Sequence, residues 1–353
     1  MNNGGVWAKV PGIVAVALMT VTASLWTLWS LGEFFFEGWG LAFPSPLAYL
    51  VPGAAFMLLS LIVLTWPRFG GVLLAAAALV FTCWALGLNI RRWGFSWTMV
   101  LSWFPASAMA VLTGVLFYLD GRRRRLESRA GRMPQGSWLR RNLRFVVGLG
   151  IPAAVAVVLT AASLPELLGR VDDGDRGARL IEGNGVRLIW APAGPGWNWK
   201  QPWGGYPSWN ELARYGAPPV GLGKKPGPER DAGRTEMDST CLCRYLSADG
   251  LSLVPEPQNV WRMPTTDELV RSLLRRGKNA GGEWNRSPGP GDFRIRPDKE
   301  TPLWAPDQPP VYYWSADEFD ERNAWYVSYR GYVLKQPKDY GNPRHGYRCV
   351  REP

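Results

Sequence analysis

The chain has 353 residues, 47% of them hydrophobic, with 40 Lys+Arg against 29 Asp+Glu and a net charge of +11. Residues 165–353 hold 27 basic and 25 acidic side chains, whereas residues 1–164 hold 13 basic and only 4 acidic ones. That distribution excludes a wholly soluble protein and a disordered chain, and four cysteines are too few for a disulfide-dense secreted module.

A transmembrane helix needs about 20 mostly apolar residues to cross ~30 Å of hydrocarbon. Five stretches qualify, 10–31, 44–66, 69–90, 97–119 and 145–164, and none has a charged residue in its interior. The first is expected to be a retained helix, because its apolar run is long and no small-residue cleavage site follows it. Residues 1–164 are therefore expected to form a membrane domain. Between the fourth and fifth spans, the loop 120–144 holds nine arginines: Arg122, Arg123, Arg124, Arg125, Arg129, Arg132, Arg140, Arg141 and Arg144. The positive-inside rule places this loop in the cytoplasm. The N-terminus is then cytoplasmic and everything after about residue 165 is extracytoplasmic, in a bacterial-type inner membrane. Lys9 and Arg68 agree with this orientation, and Arg91 and Arg92 oppose it. The same loop has the chemistry to meet anionic lipid. It carries a single aromatic, Trp138, and no nucleic-acid reading motif, so no nucleic-acid partner is expected.

Ion and proton pathways generally need ionisable groups inside the membrane. The five spans have none, and the single histidine, His345, lies far outside them. An anchor or a bundle packing on other membrane proteins remains. Trp26, Trp29, Trp39, Trp66, Trp93 and Trp97 fit interfacial belts.

Beyond the spans, 165–180 is a polar linker and a globular pattern runs from 181 to 353. Val186–Trp190 (VRLIW) is predicted as a strand, followed by a loop rich in Gly, Pro and Trp. A second open stretch, 217–234, is predicted as surface loop. Thr265-x-x-Glu268 is a capping box, and Leu269, Val270, Leu273 and Leu274 follow at helical spacing, predicting a helix of about three turns. A long Gly/Pro-rich excursion covers 278–310. Strands are predicted at 311–315 (VYYWS), then as a hairpin of 324–329 (AWYVSY) and 332–334, and at 346–350 (GYRCV).

The segments WRMPTTDEL, YYWSADEFDERNAWYVSYRGYVL and YGNPRHGYRCVRE, in this order, carry a resemblance. Over about 180–353 the chain resembles the DUF1566 (Lcl C-terminal, major paralogous) domains. It is similar, more distantly, to the formylglycine-generating enzymes. The resemblance implies a C-type-lectin-like fold: a small twisted antiparallel sheet, one or two helices and long ligand-presenting loops. The expected architecture is thus a five-helix transmembrane α-bundle followed by an extracytoplasmic α+β C-type-lectin-like domain.

The formylglycine-generating enzymes depend on a reactive cysteine pair near the C-terminal core, and this chain has no such pair. Cys349 lies in the closing strand, Cys83 in the membrane part, and Cys241 and Cys243 two residues apart. A structural disulfide of Cys349 with Cys241 or Cys243 is expected, with reduced buried thiols as the alternative. A lone histidine without a nucleophile elbow does not make a triad, and too few ligands are available for zinc. The acidic run Asp317, Glu318, Asp320 and Glu321 is the one calcium candidate. Trp197, Trp199, Trp203 and Trp209 in the first long loop, and Trp284 and Trp304 in the second, are candidates for gripping a partner or a glycan. No catalytic residue and no cofactor is expected. The expected role is a non-catalytic accessory subunit docking in a membrane complex. The alternative is a membrane-anchored binder of glycan or protein.

Overall fold

The computed structural model describes residues 9–39, 41, 43–130, 137–201, 205–217, 231–341 and 343–353. The predicted loop 217–234 falls largely outside the described residues, as do Arg132 and Trp203. The chain divides after Pro165 into two compact units.

The first unit is helical. Its elements are α1 (Val10–Glu33), α2 (Val51–Thr65), α3 (Pro67–Trp93), α4 (Trp97–Arg129), α5 (Trp138–Gly148) and α6 (Gly150–Leu168). Among the described residues four stretches are long and apolar enough to cross a membrane: Val10–Gly38, Pro67–Arg91, Trp97–Arg129 and Asn142–Leu168. The remaining predicted span, 44–66, is split. Ser45–Tyr49 forms a 3-10 turn and α2 has only 15 residues, about 22 Å of helix. Pro44, Pro46 and Pro52 withhold amide donors here, which prevents one continuous ladder.

The arginine-rich stretch is not the loop expected over 120–144. α4 runs on to Arg129, and α5 resumes at Trp138. Arginine is a good helix former. Asp120 also pairs with Arg123 and Arg124, and Arg123 pairs with Glu127, all one turn apart.

Small residues set the helix spacing. α3 and α4 are antiparallel, with Arg68 beside Gly121 and Gly71 beside Gly114, and the Thr82 and Ser107 hydroxyls 2.6 Å apart. A Cβ on Gly114 would lie 2.5 Å from the Gly71 carbonyl. α1 and α2 are also antiparallel: Trp26 stacks on Phe56, and the Gly53 amide donates to Ser30 Oγ at 2.8 Å. Trp26, Trp29, Trp66 and Trp97 keep exposed faces, as interfacial side chains do.

The second unit is loop-rich with short strands. β1 (Arg179–Gly183) and β2 (Val186–Trp190) form a hairpin, and β10 (Val350–Arg351) pairs on the other side of β2. The hairpin turns on Asn184 and Gly185, both at positive φ, as a two-residue turn demands. The predicted linker 165–180 therefore belongs partly to this unit. It is tied down by Arg176–Asp172, Arg179–Asp173 and Arg170–Asp298 ion pairs.

Two short helices follow, α7 (Trp209–Ala213) and α8 (Arg234–Ser239), and then α9 (Thr266–Ser272). The predicted capping box opens α9. Glu268 N donates to Thr265 Oγ1 at 3.2 Å, and Thr265 N donates to Glu268 Oε2 at 2.8 Å. α9 is shorter than predicted, with 7 residues. Leu273 turns extended and Leu274 enters β3 (Leu274–Arg275), which pairs with β4 (Lys278–Asn279) around Arg276 and Gly277 at positive φ. The main sheet has the order β5-β8-β7-β6-β9, formed by Gly289–Pro290, Tyr332–Pro337, Asn323–Ser328, Tyr312–Glu318 and His345–Gly346. All pairs are antiparallel except β6 with β9. The predicted aromatic strand and hairpin are β6, β7 and β8. β7 is buried on both faces from Ala324 onward.

In the full chain held in detergent, Gly114→Ala is expected to lower the melting temperature, because the methyl group has no room at the α3–α4 contact. The cost should be about 1–3 kcal/mol. Gly32→Ala, where the added Cβ meets nothing within 4 Å, should not lower it. Equal melting of the two variants would contradict this packing.

Candidate functional site

The tryptophans predicted to face a partner mostly build the core of the second unit. Trp304 stacks on Tyr313 with ring centroids 3.7 Å apart, and both are fully buried. Trp197 donates Nε1–H to the Tyr313 hydroxyl at 2.7 Å. Trp209 donates to the Ser315 carbonyl at 2.8 Å. Trp199 packs against the same core, edge to face with Tyr215. Trp284 is half-buried, edge to face with Trp325, and donates to the Ser287 carbonyl. Trp197, Trp209 and Trp304 are thus removed from the list of surface contacts. With strands of two to seven residues, the sheet alone cannot supply enough apolar area, so the loops bring in the large side chains. Trp261, Trp314 and Trp325 are buried as well.

Buried cations are a feature that sequence reasoning missed. Arg348 is fully buried and lies 3.5 Å over the Trp197 ring. Its guanidinium donates to the carbonyls of Ala191 (2.8 Å), Leu303 (3.0 Å) and Pro302. Burial pushes its pKa down to about 9. Lys338 donates to the Ala232 carbonyl (2.7 Å), to Glu318 (2.8 Å) and to the Glu321 carbonyl (3.0 Å), above the Trp209 ring. Lys299 donates to the Gln308 carbonyl, and burial followed by the nearby Arg170 and Arg344 charges lowers it to about 7. Asp298 sits between Arg170 (2.9 Å) and Arg275 (2.6 Å). Most of these cations are held by backbone carbonyls and ring faces, which fixes loops in place. Among the described residues the carboxylate partners recorded for this group, Glu318 for Lys338 and Asp298 for Arg170 and Arg275, are ion-pair contacts.

The calcium candidates do not converge. Asp317 accepts from the Thr266 amide at 2.7 Å and pairs with Arg234. Glu318 is taken by Lys338. Asp320 accepts from the Arg322 and Asn323 amides and from Asn323 Nδ2. Glu321 lends its backbone carbonyl to Lys338. Among the described residues no group of three or more His, Cys, Asp or Glu could hold a metal.

Of the two expected cystine pairings, the structure contains Cys243–Cys349, separated by 106 residues. Cys241 is free and buried, and desolvation raises its thiol to about 12, which keeps it protonated and unreactive at neutral pH. His345 is boxed in by Tyr312, Trp314, Tyr326 and Tyr340. Burial drives its imidazole down to about 3, so it is neutral and no general base at ordinary pH.

No family model, curated protein or solved structure matches the chain.

Two outcomes test this core. Cys243→Ala should cost about 2–5 kcal/mol of unfolding free energy, because the bond closes a loop of more than a hundred residues. Chemical denaturation of the oxidised full chain checks it. The depressed pKa values give a pH dependence with a definite sign. The unfolded chain protonates His345 below 6.5 while the folded one stays neutral to about 3, so stability falls as pH drops through that window. Lys299 acts alike between 10.5 and about 7, so its stabilisation is complete only above 10.5. A melting profile from pH 3.5 to 9, below the pH at which an unfolded Cys241 thiol ionises, should rise across the first window and on through the lower part of the second, and Lys299→Met should flatten the latter.

Proposed function

We propose that the chain is a non-catalytic accessory subunit of a larger membrane assembly, with the domain after Glu166 docking on the assembly's outer face. The observation that carries this reading is the way the second unit uses its chemistry. Among the described residues, its tryptophans, its buried cations, its acidic run and its histidine make internal contacts. What it offers outward is a loop-built surface. The helical unit adds support, because its apolar helices expose broad faces, with Val157 at 68% and Val158 at 66%. A single helix would suffice to anchor a binding domain. Several apolar helices of this kind suit packing against neighbouring subunits.

On this reading the membrane is crossed five times. The turn Ser45–Tyr49 completes the short α2, which already runs antiparallel to α1. The arginines at the end of α4 lie on the cytoplasmic side. The last span, Asn142–Leu168, then carries the C-terminal domain to the other side whether or not α2 crosses, and α2 decides only the side of the N-terminus. The C-terminal domain is read as C-type-lectin-like and akin to the DUF1566 domains. In support, its capped helix, aromatic strand and hairpin follow in the expected order, and the predicted closing strand 346–350 is split between β9 of the main sheet and β10, which with β1 flanks β2.

The test begins with source membranes solubilised in mild detergent and resolved on a native gel, with the chain located by mass spectrometry. Migration within a large assembly at fixed stoichiometry is the expected result. Migration alone or as a small homo-oligomer would overturn the reading in favour of a membrane-anchored binder of glycan or protein.

A further inference from the structure

One end of the helical unit gathers more positive charge than its own carboxylates neutralise. Asp120 is buried at the end of the apolar run of α4, packed against Gly12 of α1, where a Cβ would meet its carboxylate at 2.4 Å. Arg123 and Arg124 bind its two oxygens at 2.7 and 2.5 Å. Arg123 reaches Glu127 with its other arm at 3.1 Å. Arg68, at the start of α3, lies across Gly121, and its guanidinium faces the Tyr118 ring. Arg144, near the start of the last span, lies close enough to Arg124 and Asp120 to feel both charges. Two arginines thus occupy the two carboxylates, and Arg68 and Arg144 stand beside them.

Three of these guanidinium groups have a donor that goes nowhere. The Nε atoms of Arg68, Arg123 and Arg144 are buried and, among the described residues, have no hydrogen-bond partner. A burial without a partner is costly for a charged donor. Arginines that merely mark the cytoplasmic side would turn these donors to water. The position matters as well. Arg68 precedes one apolar run, Asp120 follows another, and Arg144 opens a third. The cluster therefore lies where hydrocarbon gives way to headgroups.

We propose that the cluster of Arg68, Arg123, Arg124 and Arg144 around Asp120 is a binding site for the phosphate of an anionic phospholipid. Guanidinium forks match phosphate oxygens in two-pronged hydrogen bonds. A phosphate supplies the missing acceptors and offsets the excess charge, while Asp120 holds Arg123 and Arg124 in place from below. Gly12 and Gly121 leave the room for Asp120 and Arg68 to lie between helices.

The experiment is native mass spectrometry on the detergent-solubilised full chain, titrated with phosphatidylglycerol, phosphatidylcholine or inorganic phosphate. Phosphatidylglycerol should bind at least tenfold more tightly than phosphatidylcholine. Arg68→Gln and Arg144→Gln should each weaken it about fivefold and together about 25-fold, at the typical worth of one basic residue near a lipid surface. Arg187→Gln, on the exposed face of β2, should change nothing. If the double glutamine variant does not fold, Arg68→Lys with Arg144→Lys keeps the charge and removes the forks, and should still lose severalfold. Equal binding of the two lipids, or unchanged binding in the variants, would overturn the site. Displacement of phosphatidylglycerol by an equal concentration of inorganic phosphate would make it a small-anion site and overturn the lipid assignment.

Discussion

The second unit depends on three consecutive residues, Arg348, Cys349 and Val350. Val350 exchanges hydrogen bonds with Arg262 at 2.9 and 2.8 Å and pairs with Trp190 of β2. Cys349 donates its amide to the Gly196 carbonyl, accepts from the Ala191 amide and bonds covalently to Cys243. Arg348 reaches the carbonyls of Ala191, Pro302 and Leu303. Segments from five places in the sequence therefore meet at one short stretch. A domain with strands this short cannot be held by ladder hydrogen bonds alone. It is held by a cross-link, a buried cation and a pair of terminal strands acting at the same point.

The helical unit solves a different problem. Hydrocarbon provides no hydrogen-bond partner, so each backbone amide must be satisfied within its own helix. Helices in lipid also gain little from apolar contact with one another, and close approach through small residues has to serve instead. Gly71 against Gly114 and Gly53 against Ser30 are such approaches. Where prolines interrupt the ladder before α2, the chain falls back on a 3-10 turn and a shorter helix.

Four of the five long apolar runs were legible because their signal is composition summed over twenty residues, while the fifth, 44–66, was cut short by a local detail, the prolines before α2. The capping box at Thr265 and Glu268 was legible because it is a local device with one geometry. The end of α9 was not. Leu273 and Leu274 are buried in an extended segment, yet they lie at the spacing a helix would also use. The Arg276-Gly277 turn, with both residues at positive φ, was the available correction. The Asn184-Gly185 pair was likewise a readable hairpin signal, hidden because β1 is mostly exposed and polar enough to pass for linker. The loop tryptophans and Arg348 left no readable trace. In a loop-built core, burial follows no period, so an aromatic in a Gly/Pro-rich stretch looks the same whether it faces solvent or the centre.

Buried cations held by carbonyls and rings also bear on what such a domain can do. Each carbonyl that accepts from Arg348, Lys299 or Lys338 is fixed along with the loop that carries it. Moving any of these loops would strand a desolvated charge, which costs far more than breaking a neutral contact. Opening a cleft around a ligand would therefore be resisted at several points at once. Meeting a preformed partner surface requires no such movement. The same internal commitments hold the described loops in place, which is what the proposed docking role asks of them.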